Sequence, residues 1–182
     1  MIKHLKYILT GPKIGPDMYF THWLLFFKPL RILFQKKKIK KIGENSEIRP
    51  YCTIIGTNNV IIGKNVIIPP GTTLVTLPSN KEAIINIEDD VLLGPNVAIY
   101  CSTHNFENIK VPIKSQGYKV ASVNLKSGCW IGINSVILPG VTIGKNSVVG
   151  ANSLVNRDIP DYCIAVGSPA KVIRNLNTEN EK

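Results

Sequence analysis

A six-residue spacing of aliphatic side chains constrains this chain more than any other feature. Leu125, Ile131, Ile137, Ile143, Val149 and Val155 fall six apart without a break. The same period recurs as Ile42, Ile48 and Ile54, as Ile62, Ile68 and Leu74, and as Ile87, Leu93 and Ile99. A period of six fits neither an α-helix nor an alternating strand. Four residues after each aliphatic stands a small or β-branched residue, at Ser46, Cys52, Val66, Thr72, Val91, Val97, Thr103, Cys129, Ser135, Val141, Ser147 and Ser153. Both positions can point inward. Gly follows the aliphatic at Gly43, Gly63, Gly94, Gly132, Gly144 and Gly150, and Asn stands two further on at Asn45, Asn65, Asn96, Asn134, Asn146 and Asn152. These residue types accept the positive φ that a corner can demand. Three short strands and three corners per coil of about eighteen residues predict an all-β fold, a triangular parallel β-helix whose coils stack about 4.8 Å apart.

The period divides the chain into a basic, aromatic N-terminal segment (1–41), the hexapeptide β-helix (42–160) and a C-terminal cap and tail (161–182). Two stretches leave the period, 75–86 and 105–124, and each has to project from the coils. The second is long enough to reach a neighbouring protomer or to close over a site. The net charge of +10 is uneven: residues 1–41 hold ten basic side chains against Asp17, whereas twelve basic residues meet eleven acidic ones from 42 onward. With the excess confined to one segment, nucleic acid is not expected as a partner. The apolar stretch from Met18 to Phe34 is interrupted by Lys28-Pro29 and is shorter than the roughly 20 residues of a spanning helix, and no secretory cleavage pattern follows it. Cys52, Cys101, Cys129 and Cys163 have no metal or disulfide-framework spacing, so a reducing, cytoplasmic compartment is expected. Three histidines, His4, His22 and His104, do not suggest a metal site of several imidazoles.

His104 stands apart, closing the hexad Ile99-Tyr100-Cys101-Ser102-Thr103-His104 at the threshold of the long excursion. There it points outward beside a loop that can wall a cleft. Thr103-His104-Asn105-Phe106, Gly128-Cys129-Trp130-Ile131-Gly132, Ile137-Leu138-Pro139-Gly140-Val141-Thr142-Ile143-Gly144, Asp158-Ile159-Pro160 and Gly167-Ser168-Pro169-Ala170-Lys171-Val172-Ile173-Arg174 follow in order. This string resembles the hexapeptide-repeat O-acetyltransferases, which include maltose and galactoside acetyltransferases and capsule or O-antigen sugar acetyltransferases. The resemblance covers about residues 87–174.

The resemblance implies a left-handed coil, although parallel crossovers are otherwise right-handed. It implies acetyl transfer from acetyl-CoA to a sugar hydroxyl, with His104 as general base, a role worth about 10²- to 10⁴-fold in rate. Trp130 and Asn105 would lie beside the acceptor. Ile133 and Ala151 would line the pantetheine groove with backbone groups, while Asn156, Arg157, Lys171 and Arg174 would approach the adenosine-phosphate end. Ile133 and Asn156 depart from the small residue and the Thr often found there. The resemblance also implies a homotrimer with sites between subunits. Cys101 is the rival nucleophile for a two-step route.

The N-terminal segment does not resemble the acceptor-binding helices of the maltose enzymes, so the acceptor is not carried over from them; a lipid-linked sugar in cell-surface polysaccharide assembly would unite the motifs with this segment. Two readings of this segment stand side by side. Its aromatics, from Phe20 through Trp23 and Phe26 to Phe34, with Lys36-Lys37-Lys38, suit peripheral contact with a membrane; equally, it can dock as a cap on the first coil. Two other functions share the fold: an N-acetyltransferase on an amino-sugar nucleotide or a xenobiotic, and a scaffold without catalysis.

Overall fold

The computed structural model describes residues 11–18 and 22–177; His4, Lys3, Lys6, Phe20 and the chain beyond 177 lie outside the described residues. Strands of two or three residues alternate with corners and wind the chain around three parallel sheets. Face 1 contains Lys41–Ile42, Val60–Ile62, Ile85–Ile87, Val123–Leu125 and Thr142–Ile143. Face 2 contains Glu47–Ile48, Ile67–Ile68, Leu92–Leu93, Trp130–Ile131 and Val148–Val149, and ends in the antiparallel pair Cys163–Gly167 and Ala170–Asn175. Face 3 contains Thr53–Ile55, Thr73–Val75, Ala98–Tyr100, Val136–Ile137 and Leu154–Val155, with Lys13–Ile14 added antiparallel at its start.

Register explains the period. Ile131 lies opposite Leu93 and Val149, and Ile137 opposite Ile99 and Val155, so equivalent side chains stack along the axis. All of these inward residues are buried, and Cys52, Val66, Thr72, Val97, Cys129, Ser135, Ser147 and Ser153 fill the corner position with them. Thr103 is the exception: it is exposed, because the chain has already left face 3, and Cys101 fills the interior there instead.

The six predicted asparagines all adopt positive φ, between 51° and 59°. Their amides form ladders along the corners, with Asn96 Nδ2 donating to Asn134 Oδ1 at 3.1 Å and Asn134 Nδ2 to Asn152 Oδ1 at 3.2 Å. The glycines that follow the aliphatics have a different reason from the one expected. None of them takes positive φ. A Cβ on Gly132 would stand 2.5 Å from Ala151 N and 2.8 Å from Gly150 C, so the close approach of the next coil requires glycine.

Both excursions leave from the same edge, where face 3 turns into face 1. The first lies between Val75 and Ile85. The second begins after Tyr100 and ends at Val123, so it starts before residue 105 and returns before 124. The cause is a hairpin: Ser102–His104 pairs antiparallel with Tyr118–Val120, and Val123–Leu125 rejoins face 1 beside Ile85–Ile87.

The described part of the N-terminal segment docks on the first coil. Helix α1 (Lys28–Lys38) turns Arg31 and Gln35 inward. Gln35 Nε2 donates to Ile48 O at 2.7 Å, and Arg31 donates to Leu25 O and pairs with Glu47. Lys38, half-buried, donates to Gly11 O at 2.6 Å, and burial holds its ammonium pKa below the usual value. Just before α1, the buried His22 accepts a hydrogen bond on Nε2 from Tyr51 N–H at 3.1 Å. Burial lowers the His22 pKa below 6.5, against a weaker opposing pull from Asp17. As pH falls through the ordinary imidazole range, the unfolded chain therefore takes up a proton that the folded chain resists, and stability falls with it. The melting temperature is expected to drop between about pH 8 and about pH 5 by more in the wild type than in His22→Gln, whose amide oxygen can still accept from Tyr51. Equal drops would show that His22 plays no part in the acid sensitivity.

Candidate active site

The projecting hairpin builds the site around His104. Cys101 anchors its root: Cys101 N–H donates to Val75 O, Ala121 N–H donates to Cys101 O, both at 2.9 Å, and the thiol donates to Ile84 O at 3.3 Å. From that root the strand pairing sets His104 directly opposite Tyr118, and the two rings lie 4.4 Å apart at 35°. His104 is exposed, and among the described residues no group hydrogen-bonds its ring nitrogens. Asn105 closes the turn, its backbone N–H donating to Gly117 O and its Nδ2 to Gln116 O, each at 3.1 Å.

Gln116 braces the loop from within. Its Nε2 donates to Asn108 O at 2.9 Å and Val111 O at 2.8 Å, and its Oε1 accepts from Asn108 N–H at 3.1 Å. Asn105, Glu107, Asn108, Val111, Ser115 and Gln116 enclose an open cavity of about 350 Å³. Tyr118 and Gln116 carry no signal in the six-residue period; only the hairpin register reveals their partners.

Cys101 is fully buried, and burial pushes its thiol pKa up to about 11. A thiol so held is protonated at neutral pH and poorly placed to attack. Cys101→Ala is expected to keep kcat within about threefold of the wild type, because Cys is here a small core residue. Loss of activity together with a trapped acetyl-enzyme would restore the two-step route.

The remaining candidates fall at three places. Ile133 and Ala151 are neighbours on successive coils at the corner where face 2 turns into face 3, and Asn152 N–H donates to Ile133 O at 2.9 Å. This corner is at the far end of face 3 from His104. Asn156 and Arg157 are exposed at the near edge, two coils beyond the strand that leads to His104. Lys171 and Arg174 are exposed on the last strand of face 2. Trp130 is half-exposed on face 2, in an outward row with Leu92 and Val148. One chain thus sets His104 beside Tyr118 and Asn105, but leaves Trp130 and the Ile133–Ala151 corner on other surfaces.

Residues 122–157 match the family model for bacterial transferase hexapeptide (six repeats). The chain is similar to a galactoside O-acetyltransferase of Lactococcus lactis subsp. lactis (strain IL1403), with 36% identity over 81% of this chain and 68% of that protein. Among solved structures, a galactoside acetyltransferase in complex with coenzyme A superposes with a TM-score of 0.76 at 29% identity, over 88% of this chain and 81% of that one. A hexapeptide-repeat containing acetyltransferase from Vibrio cholerae O1 biovar eltor, complexed with acetyl coenzyme A, superposes with a TM-score of 0.73 at 26% identity, over 88% and 90% of the two chains.

Proposed function

The chain belongs to the hexapeptide-repeat acetyltransferases, whose left-handed parallel β-helix it shares and whose acetyl-CoA donor it uses, and from that premise we propose that it acetylates a sugar hydroxyl in cell-surface polysaccharide synthesis. The observation that carries this reading is His104, an exposed imidazole on a projecting hairpin, held against the Tyr118 ring at 4.4 Å.

In this reading His104 removes the proton of the acceptor hydroxyl as its oxygen attacks the thioester carbonyl; the carbon–sulfur bond then breaks and coenzyme A leaves as thiol. A hydroxyl is a poor nucleophile until that proton is taken, and imidazole exchanges protons near neutral pH. Asn105 and Trp130 orient the acceptor. The pantetheine arm lies along the Ile133–Ala151 corner in this reading, where both residues are exposed on successive coils and offer backbone groups to it. The exposed basic groups of Arg157, Lys171 and Arg174 suit the nucleotide phosphates, with Asn156 alongside. Release of free thiol from acetyl-CoA, followed against a panel of sugars, nucleotide sugars and lipid-linked sugars, tests the assignment. Thiol release that requires a sugar supports it; none with any acceptor overturns it.

A homotrimer completes the site. His104 and the Ile133–Ala151 corner lie at opposite ends of face 3 within one chain, so a second copy brings them together. The hairpin loop supports this, since Ile109 is 96% exposed and Phe106 65%, apolar surface that a neighbouring chain can cover. Light scattering is expected to give three chains per particle; a monomer with full turnover would contradict it. In the same reading the sugar is met at a membrane, on a lipid carrier, and the basic N-terminal segment accounts for the location.

A further inference from the structure

A surface helix ordinarily buries its apolar stripe and offers its polar side to water. Helix α1 does the reverse. Its inward residues are Arg31 and Gln35, fastened to Leu25 O, Glu47 and Ile48 O. Its outward row, continued from the turn before it, is Trp23, Phe26, Phe27, Leu30 and Leu33, all exposed. Trp23 and Leu33 are 65% and 68% exposed. Leu25, Phe34 and Ile39 pack with the core beside these polar contacts, and the outward row is left exposed.

Two further features define what fits this row. The first is charge: Lys28, Lys36 and Lys37 are exposed beside it, α1 contains no acidic residue, and no carboxylate among the described residues pairs with these lysines. Glu47, which lies beneath the helix, is already paired with Arg31 and Arg49. The second is continuity. Phe26 also lines an apolar groove of about 370 Å³ with Tyr51, Ile67, Pro69 and Pro70, so the patch runs from the helix onto the coil corner. Apolar and aromatic side chains flanked by uncompensated lysines match the boundary of an anionic bilayer, where rings enter the headgroup region and ammonium groups meet lipid phosphates.

We propose that the outward row of α1, with Lys28, Lys36 and Lys37, is a docking surface for an anionic lipid membrane. The surface deepens the reading of a membrane-borne acceptor and rests on it for its purpose, but it is tested by lipid binding alone. Lys38 takes no part, because its ammonium is committed to Gly11 O.

The experiment is co-sedimentation of the full-length protein with vesicles of phosphatidylcholine alone and of phosphatidylcholine mixed with phosphatidylglycerol. Binding is expected to the mixed vesicles only, falling at least tenfold when salt is raised from low to high. Lys28→Gln/Lys36→Gln/Lys37→Gln and, separately, Trp23→Ser/Leu30→Ser/Leu33→Ser should each weaken it at least tenfold. Both variants should keep the wild-type melting temperature and particle mass, and wild-type turnover on a soluble acceptor. In a Trp130→Phe background, Trp23 fluorescence should shift to the blue with the mixed vesicles. No binding to anionic vesicles at low salt, equal binding to neutral ones, or a wild-type particle larger than that of the Trp23→Ser/Leu30→Ser/Leu33→Ser variant, which would assign the row to a second copy, each overturns the proposal. Loss of binding with turnover intact separates its failure from that of the acetyltransferase reading.

Discussion

His104→Ala is expected to lower kcat by about 10²- to 10⁴-fold, equivalent to about 3–5 kcal/mol of barrier, while the dissociation constant for acetyl-CoA stays within about twofold. The split follows from position. His104 sits on the hairpin with Tyr118 and Asn105, whereas the groups assigned to the donor lie at other corners and on the last strand of face 2. Steady-state kinetics with a sugar acceptor, alongside calorimetric titration with acetyl-CoA, separates the two effects. Wild-type kcat in the variant would remove His104 from the chemistry. A loss confined to acetyl-CoA affinity would reassign it to binding.

The second large effect lies in the coils. Ile131 is wholly buried and stacks between Leu93 and Val149. Ile131→Ala is expected to cost about 2–5 kcal/mol, the sum of lost burial and an unfilled cavity, because the stacked backbones on either side cannot collapse into the gap. Ile131→Val should cost about 0.5–1.5 kcal/mol, and Trp130→Ala, whose side chain points outward, less than either. Chemical denaturation measures all three. A cost below about 1 kcal/mol for Ile131→Ala would mean that the inward row does not hold the coils together.

The coils were legible because each inward side chain meets its equivalent one coil away, so every turn repeats the same steric problem. Leu125 to Val155 could be placed on that ground alone. The corner asparagines were legible for the same reason, since their positive φ recurs at a fixed step from the aliphatic. The glycines were assigned to the right corner with the wrong cause: a backbone approach of 2.5 Å between coils is a property of the stack, which no single hexad displays. Thr103 was misplaced because the period continues on paper for one residue pair after the chain has turned outward. Tyr118 and Gln116 lay beyond reach altogether, because hairpin register in a loop without periodicity is fixed only by pairing. In α1 the apolar residues suggested either a docked face or a lipid face: the helix docks, through Arg31 and Gln35 with Phe34 against the core, and the outward aromatics point away from the coils.

Direct transfer to a sugar hydroxyl is tested by product analysis after incubation of the protein with isotopically labelled acetyl-CoA and a glycoside acceptor. One labelled acetyl group is expected on a sugar hydroxyl, released by mild base as an ester is, formed by the wild type and by Cys101→Ala, and reduced at least a hundredfold in His104→Ala. Label found only as a base-stable amide, label retained on the protein, or equal product from wild type and His104→Ala would contradict it.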